Sequence, residues 1–272
     1  MAQSSPLPAG FLSGPAPNLT RSDIDFVQGG LPAYKECWAV VLDGVLSEAE
    51  CDMLLAGAEA TTNGVWERAM INIGGGQQAL YEEERKCGRI IWDDRDIAAK
   101  LWARVEAAVP EIHSLKAWPK VTGNGPYKWE ETWQVTRLNE RLRFLKYVGG
   151  EYFKGASHKS VLRYILTRPA HCDGAYETPD RMERSYFTLH LYLNDAEGKD
   201  GQAPLEGGAT TFHSFSYNND RRLDVVPKCG RVLLFQHRDL LHAGDDVING
   251  TKYTLRTDIM YELVDGKPRP KK

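Results

Sequence analysis

From Glu131 onward the chain is cut into short runs of β-branched and aromatic residues: "ETWQVTRLN", "LRFLKYV", "SYFTLHLYLN", "GGATTFHS", "LDVVPKCGRVLLFQH" and "KYTLRTDIMYELV". Gly, Pro, Asn and Asp divide them, so each reads as a strand or a strand pair. Strands that follow one another without intervening helices pack as an antiparallel sandwich or jelly roll. Asn249-Gly250 in "VINGTKY" is a favoured hairpin turn. The first half is mixed. A short apolar strand spans Trp38 to Leu42, and a helix follows, with Ser47 as N-cap, Glu50 as its capping-box partner and Met53, Leu54 and Leu55 as apolar residues. A second helix carries Ile97, Leu101, Val105 and Val109 at four-residue steps and is stopped by Pro110. Between the helices, "INIGGGQQAL" lacks the Lys-Ser/Thr and the following helix of a phosphate loop and reads as a flexible loop.

These patterns predict an α+β chain with one domain over 25–265, its β core at about 130–265 and its N-terminal helices packed on the sandwich. Residues 1–24 are rich in Pro, Ser and Gly and are expected to be disordered, and 266–272 form a basic tail. A formal net charge of −3 gives no bulk electrostatic case for nucleic acid or an anionic membrane. No apolar stretch reaches spanning length, and the N-terminus lacks the basic start and apolar core of a signal peptide. Five irregularly spaced cysteines are not a disulfide framework. The expected location is cytoplasmic.

Two His-x-Asp pairs stand out, His171/Asp173 in "RPAHCDGAY" and His237/Asp239 in "FQHRDLLHAG". In a strand, residues two apart leave the same face. A site for one non-haem iron takes two His and one carboxylate, with the opposite positions open. The third ligand should come from a different strand. For His237/Asp239 the only later histidine is His242, three residues beyond Asp239. For His171/Asp173, His242 lies sixty-nine residues after Asp173, with several strands between. Ten residues further on, Lys252 shares a predicted strand face with Thr254 and Arg256. A cation inside a β-sandwich is costly unless an anion meets it. A dicarboxylate chelating a metal at one end and paired with Lys252 at the other would meet that cost.

At this point the chain resembles the iron(II)/2-oxoglutarate dioxygenases of the prolyl 4-hydroxylase type. The resemblance runs from "VVLDGVLSEAEC" to "YTLRTDIMYEL" and includes "ERLRFLKYVGGEYF", "PAHCDG", "TLHLYLN", "EGGATTF", "VVPKCGRVLLFQH" and "LLHAG" in order. It implies a double-stranded β-helix (jelly roll), with iron held by His171, Asp173 and His242. It implies that Lys252 binds the distal carboxylate of 2-oxoglutarate and that Tyr147 points toward the cosubstrate; Arg256 is the rival anion partner, with a structural salt bridge the favoured reading for it. It also implies O2 as second cosubstrate, ascorbate in support, and hydroxylation or desaturation of a C–H bond with release of succinate and CO2. No catalytic side chain beyond the metal ligands is expected. A small-molecule substrate is the first expectation. The alternatives are a peptidyl-prolyl 4-hydroxylase acting on protein and a non-catalytic binding module that keeps the fold.

One departure concerns the stretch between Phe153 and His171, where relatives have about three residues and this chain has "KGASHKSVLRYILTRPA". It reads either as a loop beside the site, such as a lid, or as a translated intron at 155–168. His190, between Thr188 and Tyr192 on one predicted face, is either a pocket residue or a core histidine. His237 and Asp239 are assigned to a polar turn before His242.

Overall fold

The computed structural model describes residues 6–74, 77–80, 85–153, 170–196, 203–215 and 221–267. The stretch at 155–168 that separates the chain from the family pattern lies outside the described residues.

Strands β1 (Thr20–Asp23) and β2 (Ala39–Asp43) open the chain, followed by helix α1 (Glu48–Thr61), strand β3 (Gly88–Asp93) and helix α2 (Arg95–Val105). Then come β4 (Thr132–Leu138), β5 (Arg141–Val148), β6 (Glu151–Phe153), β7 (Glu183–Tyr192), β8 (Thr210–His213), β9 (Arg222–Val225), β10 (Val232–Gln236), β11 (His242–Asn249) and β12 (Thr251–Asp265). The Ser47 hydroxyl accepts from the Glu50 backbone N–H while the Glu50 carboxylate accepts from that of Ser47, so the expected capping box starts α1. Beyond α2 the chain passes into two 3-10 turns, Glu106–Ala108 and Pro110–Ile112, and Ile97, Leu101, Val105 and Val109 are all buried. The segment expected as a flexible loop forms a short hairpin of Ile71–Gly74 with Gln77–Ala79.

The strand order defines the fold. Counting the eight strands from β5 to β12, the first pairs with the last, the second with the seventh, the third with the sixth and the fourth with the fifth, all antiparallel. That nesting is a long hairpin rolled on itself, a jelly roll. It yields one sheet ordered β10-β7-β12-β5 and a second ordered β9-β8-β11-β6. The first grows to ten strands by adding β2 and β1 beside β10, β3 and then the short strand Glu67–Arg68 beside β5, and β4 along the distal half of β12 with the short strand Ser114–Lys116 beside it. Gly250, at φ +74, makes the turn between β11 and β12, where a side chain would be strained.

Alternation along the strands assigns the two faces of the large sheet. Phe144, Phe187, Leu189, Leu191, Leu234, Leu255 and Ile259 face outward, where they form the main core with Cys51 and Leu54 of α1 and Ile97, Leu101 and Val105 of α2. The intervening residues face the smaller sheet, and there Tyr192, Leu233 and Phe235 pack with Phe212. Residues 6–23 depart from the disorder expected of them. Phe11 and Leu12 are buried in the main core, and β1 pairs with β2 along the sheet edge.

Candidate metal centre

Register places the site. His171 and His242 exchange backbone hydrogen bonds of 2.8 Å in both directions, a single antiparallel bridge at the start of β11. Their rings lie 4.6 Å apart by centroid. Two residues on, Asp173 turns to the same side. Its Oδ1 is 3.5 Å from His171 Nε2, and its Oδ2 is 3.7 Å from His242 Nε2. One ligand atom from each residue falls within 4.8 Å of the others. Donors gathered this closely would hold a single metal ion.

The chemistry of the donors fits a divalent metal. His242 Nδ1 lies 3.0 Å from the Leu240 carbonyl, which accepts its proton and leaves the Nε2 lone pair aimed at the site. Burial pushes the His242 imidazole down to about 3, outweighing the raising effect of Asp173, so the ring is neutral at physiological pH. Burial alone would raise the Asp173 carboxyl. Arg256 and then the two imidazoles outweigh it and hold that group well below the usual carboxylate range. His242 therefore presents a neutral nitrogen donor and Asp173 an anion.

The pairing of β12 with β5 and β7 builds the rest of the pocket. Tyr147 lies opposite Lys252, His190 opposite Arg256 and Tyr192 opposite Thr254, so these side chains share one face. The cleft they line with the triad holds about 450 Å³ of non-atom space, open toward solvent. Lys252 is 3% exposed, and its Nζ sits 5.5 Å from the ring centroid of Tyr147 and 5.7 Å from that of Tyr192. Among the described residues, no carboxylate lies within ion-pair distance of it. Burial lowers its pKa to about 8, with Asp245 opposing the shift. Gly208, at φ +71, lets the backbone pass close to the lysine stem; a Cβ there would stand 3.1 Å from Lys252 Cδ.

The structure thus brings together His171, Asp173, His242, Lys252 and Tyr147, and adds His190 to the same pocket. It gives Arg256 a partner, with Nη2 2.8 Å from Asp173 Oδ1. The other carboxylate oxygen, Oδ2, accepts from Thr188 Oγ1 at 2.6 Å. A salt bridge for Arg256 was expected but its partner was not, nor was the Thr188 contact, although period two already put Thr188 and Arg256 on pocket-facing positions. The second His-x-Asp pair separates. His237 is a buried residue 3.7 Å from Asp258 rather than a polar turn residue, because it directly follows β10 and its backbone N–H still bonds the Tyr186 carbonyl, while Asp239 sits in the turn at φ +59.

An eight-stranded jelly roll with a His-Asp-His triad between its sheets is the architecture implied by the resemblance to the iron(II)/2-oxoglutarate dioxygenases. No protein-family model matches the chain, and no curated protein matches it by sequence. Among solved structures it is similar to a viral collagen prolyl hydroxylase from Paramecium bursaria Chlorella virus-1, in complex with 2OG. That likeness has 18% identity and a TM-score of 0.43, and it covers 82% of this chain and 96% of the other. It is also similar to a Pseudomonas putida prolyl-4-hydroxylase, at 13% identity over 86% and 94% of the two chains and a TM-score of 0.48. A third similar structure is a Trichoplax adhaerens prolyl hydroxylase with a hypoxia inducible factor oxygen degradation domain peptide fragment. Here identity is 12% over 86% and 85%, with a TM-score of 0.49. At such low identities no residue role and no substrate passes from these proteins to this chain. Among the described residues, no helix is long and apolar enough to cross a membrane.

Proposed function

We propose that the chain is an iron(II)/2-oxoglutarate-dependent oxygenase that hydroxylates or desaturates a C–H bond of a small molecule. The observation that carries this reading is one pocket lined by a His-Asp-His triad and by a buried lysine that, among the described residues, has no carboxylate within ion-pair distance. His171, Asp173 and His242 would hold the metal, and Lys252 would pair with the distal carboxylate of the acid. Tyr147, across the strand from Lys252, flanks that carboxylate with its ring. With iron(II) and 2-oxoglutarate bound, the centre supplies oxidation of a C–H bond by O2, coupled to conversion of the acid to succinate and CO2. Asp173 would supply a third protein ligand to the metal, which favours hydroxylation or desaturation over halogenation. Leu145 and Phe235, also in the lining, limit water beside the reacting groups.

The test is an anaerobic titration with iron(II) and 2-oxoglutarate, followed by visible absorption for the charge-transfer band of the chelate and then by succinate release on admitting air. Band and succinate are the expected result. Folded protein that gives neither removes the reading. Succinate counted against panels of small metabolites and of proline-containing peptides then separates a small-molecule enzyme from a peptidyl-prolyl hydroxylase.

A further inference from the structure

β7 runs along the pocket with alternate side chains turned into it. Thr188 at one end is bonded to Asp173, and Tyr192 at the other has its ring beside Lys252. His190 lies midway, about 7 Å along the strand from each at ~3.3 Å per residue. A dicarboxylate that reached from the metal ligands to Lys252 would pass alongside it.

His190 Nε2 is buried and has no hydrogen-bond partner among the described residues. Arg256 lies opposite and Lys252 nearby, both donors only, while the Asp173 carboxylate that also faces the ring is engaged by Arg256 and Thr188. Burial, followed by those two cations and His242, holds the imidazole well below its ordinary range, so the ring is neutral and carries one N–H. A buried ring nitrogen left without a partner is costly, so the unmet Nε2 in the middle of this pocket calls for one.

We propose that His190 is a further cosubstrate-binding residue, whose Nε2–H donates a hydrogen bond to an oxygen of the 2-oxo acid lying alongside it. This rests on the reading of the pocket as a 2-oxoglutarate site. It gives the cosubstrate a neutral donor in the middle of the pocket, distinct from the cation at its far end and the metal ligands at its near end.

The experiment is calorimetric titration of the Mn(II)-loaded protein with 2-oxoglutarate, comparing wild type, His190→Leu, His190→Gln and Lys252→Met. His190→Leu should bind 2-oxoglutarate about tenfold more weakly, while its Mn(II) affinity stays at the wild-type value. His190→Gln, whose amide nitrogen stands near the imidazole Nε2, should recover most of the loss. Equal binding by His190→Leu and wild type overturns the proposal, as does an equal loss in His190→Leu and His190→Gln. Should His190→Leu fail to fold, the side-chain 15N signal of His190 Nε2 in Zn(II)-loaded wild type replaces it. That signal should move on adding 2-oxoglutarate, and a stationary signal overturns the assignment. Failure of wild type itself to bind 2-oxoglutarate would remove the reading of the pocket together with this residue's role.

Discussion

An ammonium group as buried as that of Lys252 loses most of its hydration, and its pKa falls to about 8 from about 10.4 for a free side chain. Between those values the unfolded chain binds more protons than the folded one. Stability of the ligand-free protein therefore rises with pH through that window, and the buried charge is a destabilising feature below about 8. The acid needs that charge. Its affinity should be full below pH 8 and fall by up to tenfold per unit above it, which calorimetry with 2-oxoglutarate at pH 6.5–9.5 measures. Lys252→Met should bind about 10- to 100-fold more weakly, the scale of a lost charge-assisted bond, and show no such slope. At the other end, Thr188→Val keeps the shape of the side chain but removes the hydroxyl from Asp173 Oδ2. Mn(II) affinity, followed by the signal of the free ion in electron paramagnetic resonance, should drop about tenfold. His171, Asp173, His242 and Lys252 were legible because a two-residue period and a family resemblance both pointed to them. The Arg256–Asp173 pair was not. A strand pattern says which face a guanidinium leaves from, but not that it reaches a residue eighty-three positions earlier in a segment outside the strands.

At the scale of elements, α1 and α2 are tied together by Glu50, which both caps α1 and receives Arg104 of α2. The Arg104 Nη2–Glu50 Oε1 distance is 2.7 Å. Arg104, 7% exposed, also donates to the carbonyls of Gly14 and Val45. Arg104→Met should cost about 3 kcal/mol by urea unfolding at pH 7, since it removes one partner of a largely buried pair and strands the other. Ser47→Ala, which removes only the cap, should cost about 1 kcal/mol. Arg104, more than burial or Ser47, sets the Glu50 pKa and lowers it from its ordinary value. A depressed carboxylate contributes stability above its unfolded pKa and loses it as pH falls through the folded one. The gap between wild type and Arg104→Met should accordingly narrow in acid. The cap was legible as Ser-x-x-Glu, while the ion pair joins elements fifty-four residues apart and left no local trace. β1 left none either. All four of its residues are exposed, so it carries no hydrophobic alternation, and only its backbone pairing with β2 defines it.

For the whole molecule, the N-terminal segment matters more than its Pro, Ser and Gly content suggests. Composition predicts disorder when a segment cannot bury enough apolar surface to offset its ordering entropy. Phe11 and Leu12 provide that surface, because the outward face of the large sheet and the helices leave a place for them in the main core. Further along, Phe26, Leu31 and Tyr34 fill the inner core against Phe212 and Phe235. Arg21 fastens the intervening stretch, donating to the Ala108 carbonyl at 2.6 Å and pairing with Glu111 at the same distance. β1 also occupies the free edge of β2, which would otherwise offer unpaired backbone groups to another chain. Removing residues 1–23 should therefore do two things that removing a disordered tail would not. Loss of Phe11 and Leu12 should destabilise by about 1.5–3 kcal/mol each. At roughly 2–4 °C per kcal/mol for a chain of this size, the melting temperature should fall by about 10 °C. The uncovered edge should promote association, visible as a concentration-dependent shift in light scattering. A truncated protein that melts with wild type and stays equally dispersed would return residues 1–23 to a passive tail. Phe11→Ala in the full chain separates the two effects, since it opens the core while leaving β1 on the edge, and it should lower the melting temperature without changing the scattering.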